Sequence, residues 1–253
     1  MDARLVDMHC HLDLMANGEA VAAEANAAGL GLFACTVLPP HAARDRERYA
    51  KYPNVRTGCG LHPWWVNSDA SETNAALLIS QAAQSRFIGE VGLDFAPAHA
   101  STQSWQITVF EDLLRVCAEH PMCGRALSIH AVRAADTALA LLQRFGTNHA
   151  AACIFHWFSG SGDDLALARR MGCYFSVGER MLATKRGQAY AQAIEADRLL
   201  LETDFPVEAG SECSAAQIET SLERTLDQLA DLRGCNRDAL AAQILDTSLA
   251  LLA

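Results

Sequence analysis

The sequence predicts an α/β protein, a (β/α)8 TIM barrel that forms a single domain over residues 1–253. Three observations lead to this fold class. Short apolar runs of strand character alternate with helical segments along the whole chain. Eight such pairs occur, and eight parallel strands are the number that closes this type of barrel. No internal repeat, linker or low-complexity segment interrupts the alternation, so a single barrel is expected.

The predicted strands are apolar runs that end at a turn or at a polar side chain. The second run, GLFACTVL, is followed by Pro39-Pro40, and the third leads directly into His62-Pro63. In chain order, the predicted strands cover residues 4–9, 31–38, 55–61, 87–91, 126–130, 152–156, 173–177 and 198–202.

Helical spacing of apolar residues follows each strand. In one segment Trp105, Val109, Leu113 and Val116 recur with the period of one helix face. Gly29 is a helix stop after the first of these segments. The predicted helices cover residues 19–28, 44–51, 71–84, 102–119, 137–145, 163–171 and 186–194, with two more at 215–232 and 237–252.

Charge and composition narrow the class of protein. A net charge of −10 argues against broad affinity for nucleic acid, which depends on Lys and Arg contacts to phosphates, but it leaves room for a nucleic-acid end held by metals and a local basic patch. An acid at Asp2 and the lack of a long apolar run predict no signal peptide and no membrane span. We therefore expect a cytoplasmic protein without a membrane partner. Its nine cysteines are expected to be reduced.

The first strand ends in the sequence Asp7-Met8-His9-Cys10-His11. Because side chains alternate along a strand, His9 and His11 are expected on one face, with Met8 and Cys10 pointing away. Two neighbouring imidazoles can bind a divalent metal ion. Asp7 is expected to orient one of these imidazoles from behind. The alternative is two ordinary histidines at a strand end.

Further polar side chains occur at the ends of later strands, which in a barrel form the active-site rim. They are His62, Glu90, His130, His156 and Asp204. Imidazole and carboxylate ligands suit Zn, Mn, Fe or Mg. Glu90, with two oxygens, could bridge two ions, and Asp204 could take a proton from an attacking water. The alternative is that Glu90, His130 and His156 are partners in buried hydrogen-bond networks.

Six segments are distinctive as a set: DMHCHLD, GLHPWW, IGEVGLDF, SIHAVRA, FHWFSGS and LLLETDFP. In order and spacing they resemble the motifs of the TatD-type metal-dependent deoxyribonucleases of the amidohydrolase superfamily. The resemblance extends from Asp7 through Pro206. It implies hydrolysis of DNA, at ends or in single strands, often with removal of nucleotides from a 3′ end.

The resemblance also implies roles for individual residues. The cofactors would be two divalent ions (Mg, Mn or Zn), and their ligands would be His9, His11, Glu90, His130, His156 and Asp204. Glu90 and Asp204 would be catalytic, the first by bridging the ions and the second as acid and base. His62 and His156 would lie near the substrate phosphate.

The chain departs from the family pattern around the substrate. The family usually has an Arg two residues after the histidine of the fifth strand, where this chain has Val132, and Arg133 is expected to replace its phosphate contact. The loops after Asp94 and Asp204 also differ. The stretch HWFSGS followed by GCYFSVGERML is similar to TatD-like members of bacterial anti-phage defence cassettes, which implies protein partners in a defence complex.

Other hypotheses stay open at this level. The enzyme could be a small-molecule hydrolase of the same superfamily that cleaves a lactone, an amide or a phosphoester. The barrel could also be a subunit of a multiprotein assembly. Trp64, two residues after His62, could stack on a frayed base and bind substrate, or it could pack as a hydrophobic lid on the barrel rim.

Overall fold

A computed structural model describes residues 1–66 and 71–253 and contains the eight predicted strands. Each strand is short and mostly buried, as parallel strands covered by helices must be. They are β1 (Leu5–Cys10), β2 (Leu30–Cys35), β3 (Val55–Gly58), β4 (Phe87–Asp94), β5 (Ala126–Val132), β6 (Ala152–His156), β7 (Tyr174–Val177) and β8 (Leu199–Leu201).

The strands pair in parallel and in sequence order. β1, β2 and β3 form one run, β4 through β8 form the other, and a bridge between Cys59 and Ile88 connects the two. The backbone after β8 returns to β1, because the Asp204 N–H donates to the His9 carbonyl at 2.9 Å and the His11 N–H donates to the Phe205 carbonyl at 2.7 Å. The predicted (β/α)8 barrel is therefore confirmed.

The helices include two short ones that were not predicted, Thr147–Ala150 and Glu179–Leu182, and the others agree with the predicted segments to within a few residues at most ends. They are α1 (Gly18–Ala27), α2 (Pro39–Tyr49), α3 (Ser71–Ala82), α4 (Gln103–Glu119), α5 (Ala135–Phe145), α6 (Thr147–Ala150), α7 (Gly162–Arg170), α8 (Glu179–Leu182), α9 (Lys185–Ala193), α10 (Ala215–Arg233) and α11 (Arg237–Leu252). In the part of the chain that the structure describes, no helix combines the length and apolar character needed to cross a bilayer.

Several predicted boundaries were wrong, and strands β2 and β3 end at Cys35 and Gly58, before the predicted ends at residues 38 and 61. Helix α2 begins at Pro39 and not at residue 44, because proline fits the first positions of a helix, where no backbone N–H has to be donated within the helix. Strand β4 continues to Asp94 and does not end at Val91, because Leu93 and Asp94 still pair with Ala131 and Val132 of β5. The longer β4 carries its polar end into the rim of the barrel.

The interior of the barrel is closed by apolar side chains beneath the rim. Met8, Phe33, Ile154 and Leu200 pack together although they come from β1, β2, β6 and β8, and strands that are not neighbours can share such a cluster only inside the barrel. The cysteines are all free thiols, and seven of the nine are buried. Packing alone therefore accounts for most of the cysteines.

Candidate metal centre and active site

Seven polar side chains meet at the carboxyl-terminal end of the barrel. Six of them are buried, and Asp204 is partly exposed. They are His9, His11, His62, Glu90, His130, His156 and Asp204. The structure thus brings together every residue that the sequence predicted as a metal ligand, together with His62.

Glu90 lies at the centre of this group, and its two carboxylate oxygens face different histidines. Oε2 lies 3.4 Å from His9 Nε2 and 3.2 Å from His11 Nε2. Oε1 lies 2.7 Å from His130 Nδ1 and 2.8 Å from His156 Nε2. A carboxylate in this position divides the surrounding donors into two groups and belongs to both.

Asp204 and His62 complete the two donor groups. Asp204 Oδ1 lies 3.4 Å from His11 Nε2, so the first donor group is His9, His11, Asp204 and Glu90 Oε2. His62 Nε2 lies 3.4 Å from Glu90 Oε1, so the second donor group is His62, His130, His156 and Glu90 Oε1. Asp204 is held after β8 with a φ of 56°, a backbone conformation that non-glycine residues adopt infrequently and that is enriched at functional sites.

Bulges in β1 and β4 orient two of these ligands, His9 and Glu90. The pairing register shifts between Asp7 and Cys10 in β1 and between Ile88 and Val91 in β4. A bulge adds a residue to one strand and re-aims the side chains that follow it. Met8 therefore points into the barrel as His9 does, and the prediction that Met8 points away from the metal site was wrong because it assumed a regular strand.

The donor chemistry fits a bound cation. The His11 Nδ1 atom lies 3.0 Å from the Cys35 carbonyl, which can only accept, so this nitrogen carries a proton. In neutral His11 the Nε2 lone pair then faces two carboxylate oxygens and lies 3.1 Å from His9 Nε2. Atoms placed this closely need a proton or a metal ion between them. These imidazole and carboxylate groups are suitable ligands for the divalent ion that the resemblance to the TatD family implies.

The pKa values of His11 and Glu90 express the same demand for positive charge, whereas that of His9 does not. Burial alone would lower the pKa of His11, but its contacts with Asp204 and Glu90 raise it to about 10. Burial lowers the pKa of His9 to about 4, helped by the neighbouring His156. Burial would raise the pKa of Glu90, but the surrounding histidines, His62 and His156 first, hold it well below its ordinary value. Glu90 is therefore an ionised carboxylate.

Asp7 has a different role from the one predicted. It accepts hydrogen bonds from the Thr203 hydroxyl at 2.6 Å, the Thr203 N–H at 3.1 Å and the His9 N–H at 3.1 Å. Burial raises its pKa to about 7. The prediction that Asp7 orients an imidazole was wrong. The carboxylate oxygens of Asp7 instead accept hydrogen bonds from His9 N–H in β1 and from Thr203 after β8, and so connect these two segments. The His9 ring is instead held by Ser128, whose Oγ lies 2.6 Å from Nδ1.

Two buried acids beside the centre were not predicted as site residues. Asp94 Oδ2 accepts a hydrogen bond from the Trp64 indole N–H at 2.6 Å and lies 3.2 Å from His130 Nε2. Glu202 Oε2 lies 3.8 Å from His156 Nδ1, which is buried and makes no hydrogen bond within the described part of the chain. Their placement in the motifs GLD and ETD, beside predicted ligands, was the available signal.

A cavity of about 490 Å³ opens above the donor groups. Trp64 and Trp157 line it and are 52% and 37% exposed, and Trp64 stacks on His99 with ring centroids 5.4 Å apart. Two cations, Arg180 and Arg186, also line the cavity. The structure therefore combines a buried donor cluster with an accessible, partly aromatic chamber.

Comparison with known proteins identifies the family. The family model described as TatD related DNase matches residues 6–253, which is nearly the whole chain. The chain belongs to the TatD-related DNase family. It is therefore a hydrolase of the phosphodiester-cleaving class, and the metal dependence of the family agrees with the His and Glu clusters described above.

TatD relatives of similar length support the assignment. The chain is 30% identical over 193 residues to the "3'-5' ssDNA/RNA exonuclease TatD" of Enterobacter lignolyticus, covering 74% of this chain and 72% of that protein. The fold is similar to the crystal structure of YJJV, a TatD homologue of Escherichia coli K12, with a TM-score of 0.78 and 20% identity over 99% of this chain and 98% of the other. At that identity the second comparison supports the fold alone.

Three of the four predicted substrate residues line the cavity, and Arg133 lies outside the described lining. His62, His156 and Trp64 line the cavity, as does Val132. Arg133 is exposed, has a φ of 53° and is not among the cavity-lining residues that the structure describes. Its predicted phosphate contact stays a prediction.

Proposed function

We propose that this enzyme removes nucleotides from the 3′ end of single-stranded DNA with the help of two divalent ions, Mg, Mn or Zn. The observation that carries the proposal is the position of Glu90, whose two oxygens face separate donor groups. One ion would be held by His9, His11 and Asp204, the other by His130 and His156, and Glu90 would bridge them. Both donor groups contain imidazole and carboxylate, which all three metals accept.

The side chains of this site have complementary tasks in the proposed reaction. Ions bound there would supply a water of lowered pKa and positive charge near a phosphoryl oxygen. Asp204 takes the proton of the attacking water, because its Oδ1 faces the first donor group while Oδ2 is held by Arg180 at 2.9 Å. His62 and His156 contact the scissile phosphate from the second donor group.

The cavity supports action on strand ends. A volume of about 490 Å³ accommodates a terminal nucleotide, whereas an intact duplex cannot bring a phosphate to the buried donor groups. Trp64 is proposed to stack on a base of the substrate. Arg133, adjacent in sequence to the cavity-lining Val132, is proposed to contact a phosphate outside the cavity. The name of the Enterobacter relative, a 3'-5' exonuclease of single strands, agrees with this polarity.

The test uses single-stranded DNA labelled at the 5′ end or internally, incubated with Mg, Mn or Zn, each with and without chelator. The expected products are a ladder shortened from the 3′ end, and a phosphorothioate at the last linkage should block its formation. Glu90→Gln should abolish the ladder, and Glu47→Gln, at an exposed position of α2, should not. Digestion that survives both chelator and Glu90→Gln would overturn the proposal.

We also propose that residues 1–253 form one catalytic domain that works in the cytoplasm as part of an anti-phage defence complex. The similarity of HWFSGS and GCYFSVGERML to defence-associated members supports this role. Plaque assays with cells that carry the protein and its neighbouring genes, compared with the Glu90→Gln variant, test it. Equal plaque numbers for the two would contradict a catalytic role in defence.

A second candidate is hydrolysis of a small lactone, amide or phosphoester. It is favoured by the apolar part of the cavity wall, where Leu14, Val37 and Val207 lie beside the tryptophans. Turnover of lactone or p-nitrophenyl ester panels without any digestion of DNA would support this candidate over the first.

A further inference from the structure

The basic side chains that line the cavity come from one side of the barrel. Among the described residues that line it, the only Arg or Lys side chains are Arg180 of α8 and Arg186 of α9, which both follow β7. The fifth strand contributes the uncharged Val132 to the same lining. The positive charge of the cavity therefore lies on the β7 side, and a polyanionic substrate that enters the cavity meets it there.

Arg180 connects the substrate cavity with the metal centre. Its Nη1 donates to Asp204 Oδ2 at 2.9 Å, and its guanidinium lies 5.8 Å from the centroid of the Trp157 ring. The side chain is 37% exposed. A guanidinium has five N–H donors in a fixed plane, so the bond to Asp204 leaves donors available for a phosphate oxygen.

Arg186 is the less constrained of the two cations. Within the described part of the chain it makes no ion pair and no side-chain hydrogen bond, although the protein has a net charge of −10. Its neighbour Lys185 is also exposed but does not line the cavity. The two adjacent residues therefore form a matched pair, alike in charge and helix position but different in access to the cavity.

We propose that Arg180 and Arg186 form the phosphate-binding subsite of this enzyme. Arg180 holds the phosphate next to the scissile bond while it keeps Asp204 in place, and Arg186 holds the next phosphate of the strand. This inference rests on the proposed function, because it takes a DNA strand as the occupant of the cavity.

The salt dependence of binding measures the number of phosphate contacts. For single strands, log K falls with log salt by about 0.7 per phosphate contacted. Loss of one contact should therefore reduce that slope by about 0.7 and weaken binding about five- to tenfold at low salt. A reduction of the slope by about 0.7 identifies the loss of one phosphate contact. A general loss of structure would not change the slope by this amount.

The experiment measures anisotropy of a fluorescent oligothymidine in chelator, without metal and without hydrolysis, for wild type, Arg180→Gln, Arg186→Gln, Lys185→Gln and Arg133→Gln. Arg180→Gln and Arg186→Gln are expected to lose affinity and slope as stated, and Arg186→Lys should recover most of the loss. Lys185→Gln should bind like wild type. Circular dichroism verifies that each variant is folded.

Hydrolysis then separates the two arginines. With metal, Arg186→Gln should raise KM with little change in kcat, while Arg180→Gln should also lower kcat because it releases Asp204. Loss of affinity in Arg133→Gln, with Arg180→Gln and Arg186→Gln unchanged, would overturn the inference while leaving the nuclease proposal intact. A wild-type enzyme that neither binds nor cleaves DNA would instead contradict the proposed function.

Discussion

Replacement of Glu90 by Gln should remove metal binding on both sides of the site at once. The substitution keeps the size of the side chain but removes its charge and replaces one oxygen by an NH2 group. Because Oε1 and Oε2 face different donor groups, no orientation of the amide preserves both contacts. We therefore expect Glu90→Gln to lose both ions, whereas His11→Asn or His130→Asn should weaken mainly the ion on its own side.

The magnitude follows from the number of contacts. Residues that only orient a metal ligand change affinity by about 10- to 100-fold, so loss of a direct ligand should cost each ion at least about 100-fold. If the reaction needs both ions, the rate should fall by about 10⁴-fold, equivalent to about 5.5 kcal/mol. The protein should also become less stable, because five buried histidines lose a charged partner.

The assay is metal content by mass spectrometry after dialysis against a series of free-metal concentrations, with circular dichroism on the same samples. Glu47→Gln is the control for removal of an acid at an exposed position. A folded Glu90→Gln protein that retains two ions would refute the bridging role. Loss of one ion with undiminished affinity for the other would show that the carboxylate belongs to a single donor group.

Three further predictions concern stability and substrate contacts. Asp7→Ala leaves three buried donors without an acceptor and should lower the free energy of unfolding by about 3 kcal/mol. Urea denaturation measures this loss. Asp7→Asn should be intermediate, and Asp197→Ala, at an exposed position, should be close to wild type. Chelator should lower the Tm and abolish hydrolysis, because an ion present at 100 times its Kd stabilises the folded state by about 2.7 kcal/mol; an unchanged Tm would contradict metal binding by the folded protein. Trp64→Ala should weaken binding of single-stranded DNA by about 1–3 kcal/mol through lost stacking. Trp105→Ala, which changes a tryptophan of similar exposure outside the cavity lining, should bind as wild type does; equal losses in both variants would exclude specific stacking by Trp64.

The positions of the candidate ligands were predictable because each one ends or follows an apolar run. In a parallel barrel such ends meet at one rim, so His9, Glu90, His130 and His156 could be assigned to the same place from their order in the chain alone. The strand order and most helices were predictable for the same reason, because local periodicity determines them. The start of α2 was not, because Pro39 and Pro40 were interpreted only as the end of a strand.

Contacts between distant segments could not be predicted. Arg180 and Asp204 are 24 residues apart and pair across two strand ends, and neither local pattern distinguishes Arg180 from other exposed cations. The same holds for Ser128, which is 119 residues from the His9 ring that it holds. Such contacts depend on the register between strands, and the two bulges change that register at positions where the sequence looks regular.

The glycines around Glu90 connect these bulges with the metal centre. A Cβ atom at Gly89 would lie 2.9 Å from Cys35 Sγ and 2.9 Å from Ser128 Cβ, so the absence of a side chain lets β4 approach both neighbouring residues. Ser128 holds the His9 ring, and the Cys35 carbonyl holds the His11 ring. Because Glu90 follows Gly89 directly, this close approach places the shared carboxylate and both imidazoles of the first donor group together. The close packing at Gly89 and the bulge at Glu90 are therefore parts of one arrangement that positions the ligands.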